Sequence, residues 1–362
     1  MKKIITVVGA RPQFIKAAAV SRVIRSEFSD RMLERVVHTG QHFDYNMSKV
    51  FFQELDIPAP HHQLNISGGN HGAMTGRMLE ELEKVLLAEK PDWVLIYGDT
   101  NSTLAGSLAA AKLHIPVAHV EAGLRSFNMK MPEEVNRILS DRVSSLLFCP
   151  TETAVHNLKL EGIITGVQNV GDVMYDVALF YQDLARTSSD ILQRLEISSK
   201  TFALATCHRA ENTDDPSRLR EILLALTETA QTLEVVLPLH PRTRKLISSY
   251  GFESLLKGII VTDPLPFLDM VALEQAAEII LTDSGGIQKE AFFYGVPCVT
   301  MREETEWIET IRLGSNTLTG ASRGRIMAAV HNALRGTIEH ITELPYGKGD
   351  AAKLIVNALV AA

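Results

Sequence analysis

Short apolar segments alternate with amphipathic segments along almost the whole chain. The apolar segments are about five residues long, are rich in β-branched side chains, and most end in Gly, Asp, His or Thr. They are "KIITVVG", "RVVHTG", "DWVLIYGD", "PVAHVEAG", "LLFCPT", "FALATCHR", "VVLPLH", "GIIVTDP", "EIILTDSGG" and "PCVTM". Because they are apolar on both faces, they are typical of strands in parallel sheets that helices cover on both sides. Strands that alternate with helices predict an α/β fold.

The strands fall into two groups, which predicts two doubly wound, Rossmann-like domains. The first group ends near Thr151 and the second begins near Phe202, with a polar helical crossover in between. We place the domains at residues 1–168 and 169–345, and we expect a C-terminal helix at about 346–362 to pack back on the first domain. Ligands of such sheets bind beyond the carboxyl ends of the strands, so we expect an active site in a cleft between the domains.

Composition and charge narrow the class of protein. The chain has 362 residues, of which 46% are apolar and 22% charged, close to the averages of globular proteins. A net charge of -7 and the lack of any Lys/Arg run argue against a nucleic-acid partner. No segment is long and apolar enough for a membrane span or a signal peptide, so we expect a cytoplasmic protein without a membrane partner. Its three widely spaced cysteines fit a reducing compartment and neither a disulfide framework nor a metal site.

Three carboxylates stand at or just after the strand ends of the first group. Asp99 lies in "YGDTNST", Glu121 in "HVEAGLRS" and Glu133 in "MPEEVNR". Together they are suited to proton transfer, provided that their surroundings shift their pKa values.

Each carboxylate also has a structural alternative. Asp99 and Thr100 could do no more than cap a helix. Glu121 could form a structural salt bridge with Arg125, and one of the two adjacent acids at 133 and 134 could serve the helix dipole.

The strand ends of the second group carry positive charge and a pair of glycines. "ATCHRAEN" places His208 and Arg209 at one strand end, and "LPLHPRTR" places His240 at the next. "LTDSGGIQKEA" places Ser284, Gly285 and Gly286 before a helix. Free N–H groups at a helix start attract an anion, and glycines let a ligand approach the backbone. The alternative is a glycine turn without a ligand.

These features suggest a phosphate-bearing ligand. Arg11 and Lys16, in "GARPQFIK", would add positive charge to a pyrophosphate, while Glu290, one turn into the helix after the glycine pair, would meet a sugar hydroxyl. The first strand lacks the "GxGxxG" pattern of a dinucleotide redox cofactor.

Several motifs, in order, resemble those of the non-hydrolysing UDP-N-acetylglucosamine 2-epimerases across almost the whole chain. They are "GARPQFIK", "GQH", "GDTNSTLAG", "HVEAGLRS", "PEEVNR", "PTET", "CHRAEN", "LTDSGGIQKEA" and "PYGKGDAA". The resemblance implies a two-domain GT-B-like fold, a homodimer, and epimerisation at sugar C2. In that family UDP is eliminated to give a 2-acetamidoglucal and is then added back, a route that requires no redox cofactor and no metal.

The resemblance also implies roles for individual residues. Asp99, Glu121 and Glu133 resemble the acid/base carboxylates, and His208 resembles the histidine near the diphosphate. The positions that we expect to bind UDP are Arg11, Lys16, Arg209, His240, Phe267, Ser284, Gly285, Gly286 and Glu290. Gln41, His42 and Arg77 fall where some members of the family bind a second, activating UDP-sugar.

Departures from the family pattern bear on the substrate. The usual "GTRPE" is "GARPQ" here, so that Gln13 stands in place of a carboxylate. "GQHFDYNMSKVFF" and "SFNMKMPEE" are closer to a branch that acts on UDP-2,3-diacetamido-2,3-dideoxyglucuronate. We expect the loss of an acid at Gln13 to favour a substrate with a C6 carboxylate by reducing repulsion.

We therefore expect a non-hydrolysing UDP-N-acetylglucosamine 2-epimerase, with a 2-epimerase of that diacetamido uronate as the first alternative. The UDP-N-acetylglucosamine enzyme would form UDP-N-acetylmannosamine, and either would serve polysaccharide biosynthesis. A hydrolysing epimerase, a GT-B glycosyltransferase and a nucleotide-sugar sensor are the alternatives.

Overall fold

The apolar segments form two parallel sheets, each within its own compact unit. The computed structural model describes residues 1–41, 59–336 and 343–362. One unit consists of Met1–Val177 with Leu344–Ala362, and the other of Ala178–Glu343. The predicted α/β fold with two Rossmann-like domains is confirmed.

Within the described residues, the first sheet has seven parallel strands in the order β3-β2-β1-β4-β5-β6-β7. The strands are β1 Lys2–Val8, β2 Met32–His38, β3 His62–Gln63, β4 Trp93–Tyr97, β5 Val117–Val120, β6 Leu146–Cys149 and β7 Val167–Asn169. The strand order reverses between β1 and β4, which is where doubly wound sheets bind their ligands. Every residue of β4 and β5 is buried, because helices cover both faces of the sheet.

The helices of this unit fill the connections between parallel strands, as crossover geometry requires. In the described ranges they are α1 Arg11–Glu27, α2 His71–Glu89, α3 Asn101–Lys112, α4 Pro132–Val143, α5 Glu152–Leu160 and α6 Val173–Ser188. The start of α6 belongs to the first unit and its remainder to the second.

The second sheet has six parallel strands, again counted over the described ranges, in the order β10-β9-β8-β11-β12-β13. The strands are β8 Phe202–Thr206, β9 Glu234–Pro238, β10 Ile260–Thr262, β11 Ile279–Thr282, β12 Cys298–Thr300 and β13 Asn316–Leu318. The helices are α7 Ile191–Arg194, α8 Ala210–Thr213, α9 Pro216–Thr229, α10 Pro241–Ser249, α11 Phe267–Ala276, α12 Gly285–Phe293, α13 Ile308–Arg312 and α14 Arg323–Arg335. A 3-10 turn spans Glu253–Leu256. The order reverses between β8 and β11, the same switch as in the first sheet.

Apolar helix faces make the core of the second unit. Leu219 and Leu226 of α9 pack with Ile326 of α14 on one face of the sheet, and all three are fully buried. Leu273 of α11 and Ala291 of α12 pack on the other face. Burial on both faces explains why the strands are apolar throughout.

The last helix, α15 (Ala351–Ala361), packs on the first unit. Lys2 Nζ donates to the Leu359 carbonyl at 3.2 Å. Asp176, from the first turn of α6, accepts from the amides of Ala351 and Ala352 at 3.2 and 2.9 Å and so caps the start of α15. No helix in the described part of the chain is both long and apolar enough to cross a membrane.

Candidate active site

Asp99 leaves the end of β4 and is held by an arginine. Arg137, on α4, donates from Nε and Nη2 to Asp99 Oδ2 at 3.0 and 2.6 Å. Burial raises the pKa of Asp99 above its ordinary value, although the Arg137 charge opposes the shift. Thr100, not Asp99, caps α3, because Thr100 Oγ1 accepts from the Thr103 amide. The alternative that Asp99 serves as a cap is therefore wrong.

Glu121 follows β5 and forms an ion pair with Lys16 of α1. Both side chains are about nine-tenths buried, with 9% and 11% of their surface exposed. The predicted alternative, a Glu121–Arg125 salt bridge, is wrong. Arg125 instead pairs with Asp141 at 2.8 Å and with Glu161 at 2.6 Å. A carboxylate and an ammonium group thus share the strand-end region where a reacting group can be held.

The adjacent acids at the start of α4 have separate roles. Glu134 is buried and accepts from the amides of Ser126 and Phe127, both at 2.9 Å, and from Arg137 at 2.7 Å. Glu134 therefore orders the loop before α4, which is a structural role of the kind expected for one of the two adjacent acids. Glu133 is half-buried and, within the ranges that the structure describes, makes no hydrogen bond or ion pair. It lies one turn from Arg137 on the same face of α4.

The turn after β1 has no space for a side chain at its single glycine, Gly9. A Cβ at Gly9 would lie 2.1 Å from Thr39 Oγ1 and 2.2 Å from Ser102 Oγ, so no larger residue fits. The amides of Gly9 and Ala10 do not face a ligand. They donate to Gln13 Oε1 at 2.8 and 3.1 Å. This turn therefore differs from a phosphate-binding glycine loop.

Gln13 is only 1% exposed, and its amide links two strand ends. Its Nε2 donates to the Tyr97 carbonyl at 2.8 Å and to Thr103 Oγ1 at 2.9 Å. The amide is buried and its hydrogen bonds all stay within the protein, so the structure gives Gln13 a structural role, and an effect on repulsion toward a substrate carboxylate stays a prediction. Gln13 connects the start of α1 to the segment that carries Asp99.

The residues proposed for a second ligand have structural contacts. Gln41 Oε1 accepts from the amide and hydroxyl of Ser102 at 3.0 and 2.8 Å, at the start of α3. Arg77 is exposed and donates to the carbonyl of Gly68 at 2.6 Å. His42 and the side chain of Arg11 lie outside the described residues.

In the second unit, the start of α12 is open to an anion. Ser284 occupies the N-cap position, but its side chain does not cap the helix. Gly285 and Gly286 lack a left-handed φ, and a Cβ at either would meet no atom closer than 3.5 Å. Turn geometry and packing therefore do not require glycine at these positions. The alternative of a simple glycine turn is thus weakened, and close approach of a ligand remains as the physical reason.

Asp283, which the sequence analysis missed, organises the neighbouring strand end. It is fully buried and accepts from the amides of His208 and Arg209 at 3.0 Å. The sequence did contain a signal for Asp283, because it directly follows an apolar strand and a buried acid in that position needs hydrogen-bond partners. Arg209 Nη2 lies 4.0 Å from the position of a Cβ on Gly285. Its Nε is buried and has no protein partner among the residues that the structure describes.

His208 is half-exposed beside this helix start. Partial burial lowers its pKa, and the charges of Arg209 and His240 act in the same direction, while Asp283 opposes them. Neutral imidazole is therefore favoured near neutral pH. His240 itself caps α10, its Nδ1 accepting from the Arg242 amide at 3.2 Å.

The remaining predicted UDP-binding positions, Glu290 and Phe267, differ in the group that a ligand could contact. Glu290 Oε2 lies 3.9 Å from the position of a Cβ on Gly286, so its carboxylate borders the open helix start. Phe267 is 5% exposed and packs edge-on against Tyr181, with ring centroids 5.1 Å apart. Its ring belongs to the core, which leaves the backbone at the start of α11 for a ligand. No group of three His, Cys, Asp or Glu able to hold a metal occurs in the described ranges.

The chain has two parallel α/β units, each with ionisable groups at its strand ends. These features are typical of enzymes built from Rossmann-like units. The chain belongs to the UDP-N-acetylglucosamine 2-epimerase family, whose family model matches residues 26–360. The resemblance of the motifs is confirmed.

Relatives and solved structures of this family cover nearly the whole chain. The UDP-2,3-diacetamido-2,3-dideoxy-D-glucuronate 2-epimerase of Pseudomonas aeruginosa is 54% identical over 99% of both chains. A UDP-N-acetylglucosamine 2-epimerase of Methanococcus maripaludis is 42% identical over 99% of this chain and 98% of its own. The crystal structure of Methanocaldococcus jannaschii UDP-GlcNAc 2-epimerase in complex with UDP-GlcNAc and UDP has a TM-score of 0.90, at 40% identity, covering 99% of this chain and 100% of that one. The protein is thus an enzyme of the 2-epimerase type, which makes it an isomerase.

Proposed function

We propose that the protein is a non-hydrolysing 2-epimerase of a UDP-linked 2-acetamido sugar. The observation that carries the proposal is the contrast between two carboxylates of the first unit. Glu121 is paired with the Lys16 ammonium and Asp99 with the Arg137 guanidinium, and burial raises the pKa of Asp99 above its ordinary value although Arg137 opposes the shift. Two neighbouring carboxylates in different surroundings, one of them with a raised pKa, are suited to act as base and acid.

The chemistry requires a base and a leaving group together. The C2 hydrogen is only weakly acidic, because C2 is not adjacent to a carbonyl. Departure of UDP makes its removal possible: the C2–H electrons form the C1=C2 bond while the C1–O bond breaks and UDP leaves. Glu121 takes the proton from one face of C2. Return of UDP to C1 and of a proton from Asp99 to the opposite face of C2 completes the epimerisation.

The second unit supplies the groups that would bind UDP. The start of α12 has the backbone amides of Gly285 and Gly286 and no side-chain cap from Ser284. Arg209 offers a guanidinium whose Nε is buried and has no protein partner within the described ranges. Both features stabilise a diphosphate, which is the leaving group of the proposed reaction. His208, His240 and Glu290 border the same region.

We take UDP-2,3-diacetamido-2,3-dideoxyglucuronate as the first candidate substrate. The support is the 54% identity to the relative named for it, against 42% for the UDP-N-acetylglucosamine 2-epimerase of Methanococcus maripaludis. UDP-N-acetylglucosamine is the second candidate, because the relative at 42% identity and the compared crystal structure carry its name.

Deuterium incorporation tests the reaction. The protein is incubated with each candidate sugar in deuterium oxide, and the C2 and anomeric protons are followed by NMR. Deuterium at C2 with UDP still attached supports the proposal. Free UDP together with free sugar indicates a hydrolysing epimerase, and no exchange with either sugar contradicts the proposal. The ratio of kcat/KM between the two sugars decides the substrate.

Variants assign the groups. Asp99→Asn and Glu121→Gln are expected to abolish C2 exchange, while UDP affinity stays within about 3-fold of wild type. Glu81→Gln, on the exposed face of α2, is the matched control and should leave exchange unchanged. Normal turnover in both site variants would contradict the assigned roles.

The proposal extends to a cytoplasmic homodimer that serves polysaccharide biosynthesis. It also retains a second, activating UDP-sugar near Gln41, His42 and Arg77. Its support is the family resemblance. Light scattering of the purified protein tests the dimer, and sigmoidal dependence of rate on UDP-sugar concentration tests the activator.

A further inference from the structure

His119 is a fully buried histidine of β5 that the proposed reaction does not use. Its Nε2 lies 2.8 Å from the Gly98 carbonyl oxygen, and its Nδ1 lies 2.7 Å from Asp141 Oδ1. Each ring nitrogen of His119 therefore has an oxygen acceptor within hydrogen-bonding distance. Burial opposes the ionised form of Asp141, but hydrogen bonds and charges from His119 and Arg125 outweigh burial and lower the pKa of Asp141.

The contacts of Asp141 extend this pair into a continuous bridge. Asp141 Oδ2 accepts from the Gly123 amide at 3.1 Å and from Arg125 Nη1 at 2.8 Å. The Gly98 carbonyl is thereby joined to the Gly123 amide through His119 and Asp141. Arg125 in turn pairs with Glu161 at 2.6 Å. A buried polar network of this kind is stable in the core only while every member keeps its partner.

Left-handed backbone lies at both ends of the bridge and at Glu121 beside it. Gly98, Glu121 and Gly123 all have left-handed φ values, of 60°, 72° and 79°. For Glu121, which carries a Cβ, this conformation costs about 1 to 2 kcal/mol. Residues stay in such a conformation when the surrounding structure determines it.

These backbone positions set the two carboxylates. Gly98 immediately precedes Asp99, and Gly123 follows Glu121 by two residues. A Cβ on Gly98 would lie 3.3 Å from Glu121 Oε2 and 3.5 Å from Lys16 Nζ, so the turn that carries Asp99 passes close to the Glu121–Lys16 pair. A small change at Gly98 therefore alters the spacing between the two carboxylates.

We propose that His119 is a positioning residue, whose buried bridge to Asp141 sets the spacing of Asp99 and Glu121 for proton transfer at C2. The proposal rests on the proposed function. The competing explanation is a core histidine whose contribution is limited to stability.

The test compares His119→Gln with a variant of equal instability. A glutamine amide can donate to the Gly98 carbonyl, but its oxygen then faces the Asp141 carboxylate, so the bridge is broken. Leu82→Ala, a fully buried position of α2 in the same unit, lowers stability without touching the bridge. His119→Gln is expected to lower kcat and C2 exchange about 100-fold, since displacement by about 1 Å costs that much. The KM of His119→Gln should stay within about 3-fold of the wild-type value. For Leu82→Ala, both kcat and KM should stay within about 3-fold of wild type.

Other outcomes overturn the proposal. A His119→Gln protein with a kcat close to wild type would contradict the proposal. Equal losses of kcat in His119→Gln and Leu82→Ala, at an equal decrease in melting temperature, would also contradict it. If His119→Gln does not fold, Asp141→Asn breaks the same bridge and must show the same loss of kcat at unchanged KM. Restoration of turnover to His119→Gly by added imidazole supports the assignment, and absence of restoration in a folded variant opposes it.

A crystal structure separates this proposal from the proposed function. If the wild type exchanges no C2 hydrogen, the proposed function fails, yet the bridge can still be examined. In His119→Gln the Asp99 and Glu121 carboxylates are then expected to shift relative to each other by about 1 Å. Unmoved carboxylates would refute the role of His119 whatever the activity.

Discussion

Replacing Gln13 by methionine is the sharpest test of how the first unit is held together. Methionine has a similar length but forms no hydrogen bonds of comparable strength. The change removes the acceptor of the Gly9 and Ala10 amides, which lie 2.8 and 3.1 Å from Gln13 Oε1. Each stranded buried amide costs about 1 to 3 kcal/mol, so we expect a total loss of about 4 kcal/mol. The Tyr97 carbonyl keeps its bond from Thr103 Oγ1 at 2.7 Å and adds little to this loss.

Gln13→Glu separates the acceptor from the donor role of the amide. The carboxylate still accepts from both backbone amides, but its second oxygen takes the place of Nε2, 2.8 Å from the Tyr97 carbonyl oxygen. Two such oxygens repel unless the carboxyl keeps its proton, so its pKa in the folded state is raised. Stability then falls as pH rises from the unfolded value of about 4.3 through the folded one, and the loss at about pH 8 is about 2 kcal/mol.

Thermal unfolding at about pH 8, followed by calorimetry, measures both effects. For a unit of about 200 residues, 4 kcal/mol corresponds to a melting temperature lower by about 10 °C, and 2 kcal/mol to about 5 °C. Gln63→Met, at an exposed edge-strand position, is the control and should melt within about 1 °C of the wild type. A Gln13→Met protein that melts with the wild type would refute the role given to the amide.

Three further predictions concern the second unit, the stability of the first unit and the thiols. Arg209→Met should weaken UDP binding, measured by calorimetry, about 30-fold. The control is Arg242→Met, which removes an arginine paired with Asp214 and should change UDP affinity less than about 3-fold. Equal losses of affinity in the two variants would contradict the role of Arg209. Burial raises the pKa of Asp176 to about 6, so the folded state binds the proton more tightly and stability should fall by about 3 kcal/mol as pH rises from about 4 to 6. Asp176→Asn should remove that slope in urea unfolding, and an unchanged slope would show that another group causes it. Burial raises the pKa of Cys149, Cys207 and Cys298, so a thiol reagent should label the native protein slowly and denatured protein fully; rapid native labelling would contradict their burial.

The central strands and the apolar edge strand β10 could be predicted from local sequence, but the other three edge strands could not. A strand inside a parallel sheet is buried on both faces and is therefore apolar along its length, as β4 shows. The strands β3, β7 and β13 lie at sheet edges, have two or three residues, and carry His, Gln, Asn or Thr. Each of these three strands has one neighbour and an exposed side and lacks an apolar run that would distinguish it from a loop.

The candidate site shows the same division at the level of single residues. That Asp99, Glu121 and His208 end strands followed from the pattern alone, because an ionisable side chain after an apolar run lies at the edge of a sheet. Their partners did not follow. Glu121 pairs with Lys16, 105 positions away, and not with Arg125 four positions on, since four-residue spacing brings side chains together only in a helix.

By itself, the sequence determined the α/β class, the two groups of strands, the family, and the residue types present at the strand ends. Tertiary structure alone decided that Gln13 is buried, that Glu134 orders a loop, and that Asp283 and Asp141 hold neighbouring backbone. The physical reason is that local periodicity reports which faces are buried. The protonation state and role of a polar group depend on partners that only the folded chain brings within hydrogen-bonding distance.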